Sequence, residues 1–309
     1  MIEKAIELLK AGEIVALPTE TVYGLAGDAG NDTAVAKIYA AKGRPSFNPL
    51  IVHVYDFAAA EKIGVFSKAA KKFAKKYWPG PLTIVVPKRD KKFAALATAG
   101  LDTIAIRVPA HPIMREVLKS GLMLAAPSAN ISGKLTPTEA KHVAENFPHI
   151  YIVEGGKCEV GLESTVITFD EHDNVIVLRE GVLQIEDVRG RSRASHQPAE
   201  RCSIGGPGGP HGEHKKIISP GQLLKHYAPK NPIRINADSP QPNETFIGFG
   251  NMKCDFNLSE RGSLIEAAAN LFSMLHAADA LNKPIAVAPI PNEEVGAAIN
   301  DRLTRSSHK

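Results

Sequence analysis

The chain has 309 residues, of which 44% are hydrophobic and 23% are charged, and its formal net charge is +4 at pH 7. This composition excludes a disordered or fibrous protein, and the length is sufficient for two globular domains. No apolar run approaches the length of a membrane-spanning helix, and the chain starts in a helical pattern with Ile2, Ala5, Ile6 and Leu9 on one face. We therefore expect a cytoplasmic protein that does not contact a membrane.

The three cysteines, Cys158, Cys202 and Cys254, are odd in number and far apart in sequence. This spacing argues against a disulfide framework and against a structural zinc site, so reduced thiols are expected. The mild basic excess is compatible with an RNA partner, although many enzymes with anionic substrates share it.

The first 190 residues alternate strand patterns with helical patterns, which predicts an α/β fold. Strand patterns cover residues 14–17, 50–54, 82–87, 103–108, 123–126, 150–153, 165–169 and 175–178, and helical patterns cover residues 31–41, 67–77, 111–119 and 137–147. Because the later strands are separated only by turns, we expect a twisted sheet of mixed parallel and antiparallel strands, flanked by helices.

Residues 191–230 have a different texture, with a Gly-Gly-Pro-Gly-Gly-Pro run at 205–210, and are predicted to be a linker. Beyond the linker, residues 231–309 alternate strands and helices again, which predicts a small second α/β domain. The predicted strands are 233–235, 245–249 and 284–288, and the predicted helices are 259–281 and 293–303. The glycines of this domain form no phosphate-binding fingerprint.

Two cations follow the predicted helix 31–41. Gly43 suits the position after a helix, and Pro45 favours an extended backbone at Arg44, so Lys42 and Arg44 can point to one place. A planar guanidinium beside a mobile ammonium is typical of a site for a phosphate chain. The alternative is two solvated charges that complement the C-terminus of the helix.

Polar side chains also follow or lie on four predicted strands. They are Thr19, Thr21 and Tyr23 in residues 18–25, His53 in an apolar run, Thr103 and Arg107 on one face of strand 103–108, and Ser128 and Asn130 in residues 126–133. Ligands of open α/β sheets gather beside strand ends, so these segments predict a binding crevice. Since the chain has no G-x-x-x-x-G-K-[ST] loop, side chains and irregular loops would have to hold a nucleotide.

Each of these residues also has an ordinary structural interpretation. His53 could be a core histidine bonded to a carbonyl, and Arg107 could be a surface residue of its strand. Ser128 and Asn130 could serve only their own turn, as could residues 163–165. The lysine pairs at 71–72 and 75–76 fit a solvated helix face, although they could also contact RNA phosphates.

A set of ordered motifs gives the chain a marked resemblance to the YrdC-type L-threonylcarbamoyladenylate synthases, in their two-domain form. The motifs are Pro-Thr-Glu-Thr-Val-Tyr-Gly-Leu at 18–25, Lys-Gly-Arg-Pro at 42–45, Asn-Pro-Leu-Ile-Val-His at 48–53, Trp-Pro-Gly-Pro-Leu-Thr at 78–83, Pro-Ser-Ala-Asn-Ile-Ser-Gly at 127–133, Gly-Leu-Glu-Ser-Thr-Val-Ile at 161–167, Leu-Arg-Glu-Gly at 178–181 and Ser-Pro-Gly-Gln-Leu-Leu-Lys-His-Tyr-Ala-Pro at 219–229. The glycine-proline run at 205–210 is not part of the family pattern.

The resemblance implies a YrdC-like catalytic domain over residues 1–190, a linker that acts as a lid over 191–230, and a Rossmann-like second domain over 231–309. It implies that the protein is a nucleotidyltransferase, which converts L-threonine, bicarbonate and ATP into threonylcarbamoyl-AMP and pyrophosphate for N6-threonylcarbamoyladenosine of tRNA. A tRNA threonylcarbamoyl transferase would receive the product, and direct contact with tRNA stays open.

The resemblance also implies roles for individual residues. The threonine site would comprise Thr21, His53, Arg107, Ser128 and Ser164. The nucleotide site would comprise Lys42, Arg44, Asn48, Thr103, Asn130, Thr138, Arg179 and Tyr227, with Tyr227 closing from the linker. Lys42 and Arg44 would be catalytic by neutralising charge on the phosphates, together with Mg²⁺ that binds through ATP and not through protein ligands.

Two rival functions follow from the same residues. One is an RNA-binding module without ATP-dependent chemistry, in which the lysine-rich helix 67–77 contacts phosphates. The other is a carbamoyl-transferring hydrogenase-maturation protein, which shares this domain. That class should carry cysteine-rich zinc fingers, and three scattered cysteines exclude them.

Overall fold

The computed structural model describes residues 1–185 and 226–308. The described helices are α1 (Ile2–Lys10), α2 (Asp32–Lys42), α3 (Phe57–Ile63), α4 (Lys68–Tyr77), α5 (Pro112–Lys119), α6 (Ala140–Asn146), α7 (Leu264–Asp279) and α8 (Val295–Ser307). The described strands are β1 (Val15–Leu17), β2 (Gly24–Asp28), β3 (Ile51–His53), β4 (Leu82–Pro87), β5 (Thr103–Arg107), β6 (Leu124–Ala125), β7 (Tyr151–Ile152), β8 (Thr165–Phe169), β9 (Val175–Arg179), β10 (Ile233–Arg234), β11 (Thr245–Gly248), β12 (Phe256–Asn257) and β13 (Ile285–Val287).

Nine strands form one mixed sheet in the order β7-β1-β2-β6-β3-β5-β4-β8-β9. The pairs β1/β7, β3/β5 and β4/β8 are parallel, and the other neighbouring pairs are antiparallel. This confirms the expected α/β class and the mixed sheet. The second sheet has four parallel strands in the order β10-β13-β11-β12, which agrees with a small Rossmann-like domain.

Strand alternation divides the nine-stranded sheet into two unlike faces. One face carries Val52, Ile84, Ile104, Ile106 and Ile167, which join the main hydrophobic core under the helices. The other face carries only a small apolar group, Ile51, Val85, Ala105 and Val166, with Leu178 beside it. Polar side chains can therefore collect around this small apolar patch, which forms the floor of the candidate site.

Several predicted elements differ from the structure. Strand β2 was not among the predicted strands, but it pairs with both β1 and β6 in the sheet. Helix α3 and strand β12 were not expected at all, and the predicted helix 137–147 begins only at Ala140. The linker predicted over 191–230 lies mostly outside the described residues, so the proposed domain boundaries stay predictions. Among the described helices, each is too short or too polar to cross a bilayer.

Candidate active site

Lys42 connects two of the motifs that the sequence separates by more than eighty residues. It ends helix α2, and its side chain is only 1% exposed. The ammonium Nζ donates hydrogen bonds to the carbonyl oxygens of Ser128 and Asn130, both at 2.5 Å. Burial, together with the nearby Arg44, holds the pKa of the Lys42 ammonium well below its usual value. The Lys42 amino group is therefore fixed at the start of the loop that carries Ser128 and Asn130.

Arg44 follows Gly43, whose left-handed backbone (φ +57°) ends the helix and turns the chain. Its Nε donates to the Asn48 carbonyl at 3.1 Å, and its Nη2 donates to Asn48 Oδ1 at 2.7 Å and to the Pro49 carbonyl at 2.9 Å. Burial lowers the pKa of Arg44 to about 10, so the guanidinium is charged at neutral pH. Two of its three nitrogens thus brace its own loop, which the sequence interpretation did not anticipate.

Arg107 ends strand β5 on the polar face of the sheet, beside His53 of β3. Its Nη2 pairs with the Glu20 carboxylate at 2.6 Å, Nη1 donates to the Thr21 hydroxyl at 2.9 Å, and Nε donates to the Gly80 carbonyl at 3.2 Å. Burial alone would raise the pKa of Glu20, but the charge and hydrogen bond of Arg107 outweigh it and hold that pKa below its usual value. The guanidinium fork is therefore divided between two side chains instead of facing a single carboxylate.

Small hydroxyl groups surround this arginine. The Thr19 and Thr21 hydroxyls lie 2.8 Å apart, and the Thr83 and Ser164 hydroxyls lie 2.7 Å apart. Arg179 donates to the Ser164 carbonyl from Nε at 3.1 Å and from Nη2 at 2.9 Å, and Nη2 also donates to the Ser164 hydroxyl at 3.2 Å. Hydroxyl groups that both donate and accept suit a small polar ligand such as an amino acid.

Two buried polar atoms at this place have no hydrogen-bond partner among the described residues: His53 Nδ1 and Asn130 Oδ1. The Asn130 amide nitrogen is engaged, since Nδ2 donates to the carbonyls of Ile131 and Lys134. Burial lowers the pKa of His53 to about 3, so its ring is neutral at pH 7. Buried polar atoms are nearly always paired, so unpaired ones indicate a place where a polar ligand binds.

The loops that carry these groups are joined by backbone hydrogen bonds. Leu25 N donates to the Pro127 carbonyl, and Ala129 N donates to the Tyr23 carbonyl, both at 2.8 Å. Ser132 N donates to the Lys42 carbonyl at 2.8 Å. The segments 18–25, 42–45 and 127–133 therefore form one rigid assembly over the sheet floor.

The three other residues predicted for the nucleotide site have different surroundings. Thr103 opens β5, four residues from Arg107, which places it roughly 13 Å away along the strand. The Thr138 hydroxyl lies 3.0 Å from the Ser273 hydroxyl of α7. Tyr227 is 1% exposed and packs against Phe272, with ring centroids 5.6 Å apart. Tyr227 lies close to Arg44 and Arg179, whereas Thr103 is remote from Arg107. The roles of all three residues stay predictions.

Four residues of the site were given no role by the sequence interpretation. Glu20 and Thr83 lie within motifs that the sequence analysis recognised, but the sequence did not show that they contact Arg107 and Ser164. Glu163 is buried beside Ser164, and its partner Arg302 lies in the second domain. No local signal in the sequence pairs residues that are 139 positions apart.

Among the described residues of this site, buried basic side chains outnumber buried carboxylates. Lys42, Arg44, Arg107 and Arg302 are each at most 9% exposed, whereas the two buried carboxylates, Glu20 and Glu163, pair with Arg107 and Arg302. Burying such an excess of positive charge without a ligand is unfavourable. An anionic ligand with several oxygens would compensate it.

Three buried histidines predict acid sensitivity of the fold. Burial lowers the pKa of His53, His142 and His226 to about 3 each. The unfolded chain binds protons near pH 6.5 that the folded chain excludes, so stability is expected to fall as the pH drops from about 6.5 toward 3, by of order 1 kcal/mol per histidine per pH unit. Urea unfolding at pH 7.5 and 5.5 measures this loss.

Two variants separate the histidines from general acid effects. His142→Phe keeps a ring stacked on His276, 3.8 Å away, and should reduce the loss between the two pH values. His172→Gln, at a side chain 74% exposed, should leave it unchanged. A free energy of unfolding that stays constant over this interval in the unmodified protein would refute the prediction.

Known proteins share the sequence motifs and the fold of this chain. The Sua5_yciO_yrdC family model, described as telomere recombination, matches residues 7–181. The Sua5_C model, described as the C-terminal domain of threonylcarbamoyl-AMP synthase, matches residues 181–308. Full-length HypF, solved with phosphate and nucleotide, is 21% identical with a TM-score of 0.52 over 58% of this chain and 28% of that chain, a likeness of fold alone.

Two relatives match along nearly the whole chain. Threonylcarbamoyl-AMP synthase of Bacillus subtilis is 37% identical over 99% of this chain and 92% of its own. The crystal structure of Pyrococcus abyssi Sua5 in complex with L-threonine is 34% identical, with a TM-score of 0.83 over 99% of this chain and 94% of that chain. The chain therefore belongs to the Sua5 family in its two-domain form, as its motifs predicted.

Proposed function

We propose that this chain is an L-threonylcarbamoyladenylate synthase, a nucleotidyltransferase that joins L-threonine, bicarbonate and ATP and releases pyrophosphate. The relatives that match it end to end carry the name threonylcarbamoyl-AMP synthase, and one was solved with L-threonine. The observation that carries the proposal is the Lys42 ammonium bonded to the carbonyls of Ser128 and Asn130. This contact places a cationic motif directly beside a cluster of small polar groups.

In this proposal the threonine lies against the polar face of the sheet. Arg107 attracts the carboxylate of the threonine. Nη2 of Arg107 already donates to Glu20 and Nη1 to Thr21, so the substrate carboxylate would share the N–H groups of these two nitrogens with Glu20 and Thr21. The hydroxyls of Ser128 and Ser164 offer contacts for the amino acid, and neutral His53 offers its unpaired Nδ1.

The nucleotide would lie toward Lys42 and Arg44, with Asn48, Asn130 and Arg179 around it. Tyr227, which lies close to Arg44 and Arg179, would also contact it, and Thr103 and Thr138 would contact its outer parts. Mg²⁺ would accompany the phosphates and neutralise part of their charge. Residues 1–185 and 226–308 contain no group of three or more His, Cys, Asp or Glu side chains that could hold a metal ion.

The proposed reaction requires that the substrates be positioned, and it does not require a covalent enzyme intermediate. The threonine amine attacks the carbon of bicarbonate, water leaves, and the new carbamate oxygen attacks the α-phosphorus of ATP as pyrophosphate departs. Negative charge moves onto the leaving pyrophosphate during this step. Arg44 is charged at neutral pH, and a bound phosphate would favour the charged form of Lys42. Carbonyl oxygens already hold both side chains in place, so they can neutralise that charge without reorganising.

The acyl adenylate product would be passed to a transferase that modifies tRNA. A mixed carbamic-phosphoric anhydride is readily hydrolysed, so an enclosed site protects it until transfer. Contact of this chain with tRNA itself stays a prediction.

A substrate-omission assay tests the proposal. The full chain is incubated with ATP, MgCl₂, bicarbonate and L-threonine, and pyrophosphate is measured by a coupled phosphatase assay. We expect release only when all three substrates are present, and release at least about tenfold slower with L-serine or L-valine in place of L-threonine.

Other outcomes would reject the proposal. Pyrophosphate release that persists without threonine or bicarbonate would indicate a different nucleotide reaction. No consumption of ATP under any condition, combined with tight binding of tRNA, would favour the RNA-binding module.

A further inference from the structure

Helices of the second domain contact two loops of the first domain that carry proposed ligands of the substrates. In the loop 134–139, the Thr136 carbonyl lies 3.1 Å from His276 Nε2 of α7, and the Thr138 hydroxyl contacts Ser273. In the loop 161–165, the Glu163 carboxylate is paired with Arg302 of α8 at 3.2 Å. The second domain therefore touches the site itself as well as its surroundings.

Arg302 is the centre of the second contact. Its side chain is 1% exposed, and its Nε donates to Glu163 Oε2 while Nη1 donates to Asp301 Oδ2 at 2.9 Å. Its guanidinium lies over the Tyr227 ring, 5.5 Å from the centroid. Nη2 is buried without a hydrogen-bond partner among the described residues. A guanidinium buried in this way is held by two carboxylates and one aromatic ring.

Glu163 transmits this contact to the proposed threonine site. Its second oxygen accepts a hydrogen bond from the Thr136 hydroxyl at 2.7 Å, which links the two loops. The next residue is Ser164, whose hydroxyl and carbonyl are held by Thr83 and Arg179. Because the Glu163 side chain is fixed at both oxygens, the backbone that enters Ser164 is fixed as well.

We propose that Arg302 is a positioning residue: through Glu163 it holds Ser164 in the geometry that the threonine site needs, so that the second domain completes that site. This inference rests on the proposed function and adds a role for the second domain.

Simple attachment of the domains does not account for this arrangement. Neutral contacts such as Thr138 with Ser273, or the exposed contact of Lys157 with Asn270, join the domains without burying an ionised carboxylate. A buried ion pair is often no more stabilising than an apolar contact of the same shape, but it is selective for one geometry. The buried carboxylate belongs to Glu163, the residue before Ser164. Selectivity for one geometry therefore acts directly on the proposed threonine site.

Three variants of the full chain test the inference. Arg302→Met removes the charge and leaves Glu163 unpaired, and the double variant Glu163→Gln/Arg302→Met removes both charges. Arg234→Met is the matched control, since the hydrogen bonds of Arg234 among the described residues go to Glu244 and Ser239 inside the second domain. Pyrophosphate release gives KM for threonine, KM for ATP and kcat, and circular dichroism reports the fold.

For Arg302→Met we expect KM for threonine to rise at least about tenfold while KM for ATP changes less than about threefold. In the double variant the KM for threonine should fall most of the way back to that of the unmodified chain. A neutral amide at position 163 can stay buried without a charged partner, whereas an unpaired carboxylate cannot. The control should match the unmodified chain. Recovery in the double variant distinguishes positioning through Glu163 from a mere packing role of Arg302, which would give additive losses.

The inference is overturned if Arg302→Met is folded with an unchanged threonine KM, or if the double variant is as impaired as the single one. If Arg302→Met does not fold, the double variant alone decides: a threonine KM close to that of the unmodified chain supports the inference, and one raised tenfold rejects it. Absence of threonine-dependent pyrophosphate release in the unmodified chain would reject the proposed function instead, so the two failures are distinguishable.

Discussion

Replacing Arg44 by alanine is expected to lower threonine-dependent pyrophosphate release by at least about a hundredfold, the range found when one fixed donor to developing charge is removed. The guanidinium supplies positive charge beside Lys42 and also holds the Asn48 amide and the Pro49 carbonyl. Its loss therefore removes a charge from the proposed phosphate site and loosens the loop around it. Steady-state kinetics with saturating ATP measure the effect as kcat.

Two comparisons make this result specific. Arg44→Lys keeps the charge but cannot form the three contacts to Asn48 and Pro49, so an intermediate loss is expected. Lys37→Ala, in the preceding helix α2, removes a partly exposed pair with Glu13 and a hydrogen bond to the Gly12 carbonyl, so it should have little effect on turnover. Near-normal turnover of a folded Arg44→Ala protein would reject the proposed role of Arg44.

Replacing Arg107 by methionine is expected to raise KM for L-threonine at least about a hundredfold, because it removes the proposed partner of the substrate carboxylate. The same change leaves Glu20 buried without its cation, and breaking a buried pair costs about 3–5 kcal/mol of stability. Thermal unfolding and threonine kinetics must therefore be measured together.

A second substitution separates stability from binding. In Glu20→Gln/Arg107→Met the buried carboxylate is absent, so stability should return toward that of the unmodified chain while the threonine KM stays high. Arg115→Met, at an arginine of α5 that stacks on Tyr55 outside the site, is the control for loss of an arginine. A normal threonine KM in the double variant would show that Arg107 serves only to pair Glu20.

Local sequence patterns predicted the parts of the fold that depend on alternation and capping. The pattern of residues 103–108 placed Arg107 on the polar face of its strand, and Asn31 caps helix α2 as its type suggests. Strand β2 was missed because the sequence Gly-Leu-Ala-Gly-Asp has low strand propensity and gains its stability from neighbours on both sides. Tertiary pairing overrides local propensity there.

The candidate site shows the same division. Motif positions predicted Lys42, Arg44, His53 and Arg107 as site residues, and the structure places them around one sheet face and its loops, although their roles stay predictions. The partners of those residues depend on distant parts of the chain, as with Glu20, which lies 87 positions from Arg107. Sequence alternation cannot predict which carboxylate meets which guanidinium across a sheet, because that depends on strand order.

We propose that one site joins threonine, the carbon of bicarbonate and the adenylate of ATP. The most direct test is to incubate the full chain with ATP, L-threonine and ¹³C-bicarbonate and to identify the nucleotide products by mass spectrometry. We expect a threonylcarbamoyl adenylate that carries a single ¹³C atom and forms in step with pyrophosphate. Pyrophosphate with AMP alone, or an adenylate of threonine that lacks the label, would contradict it.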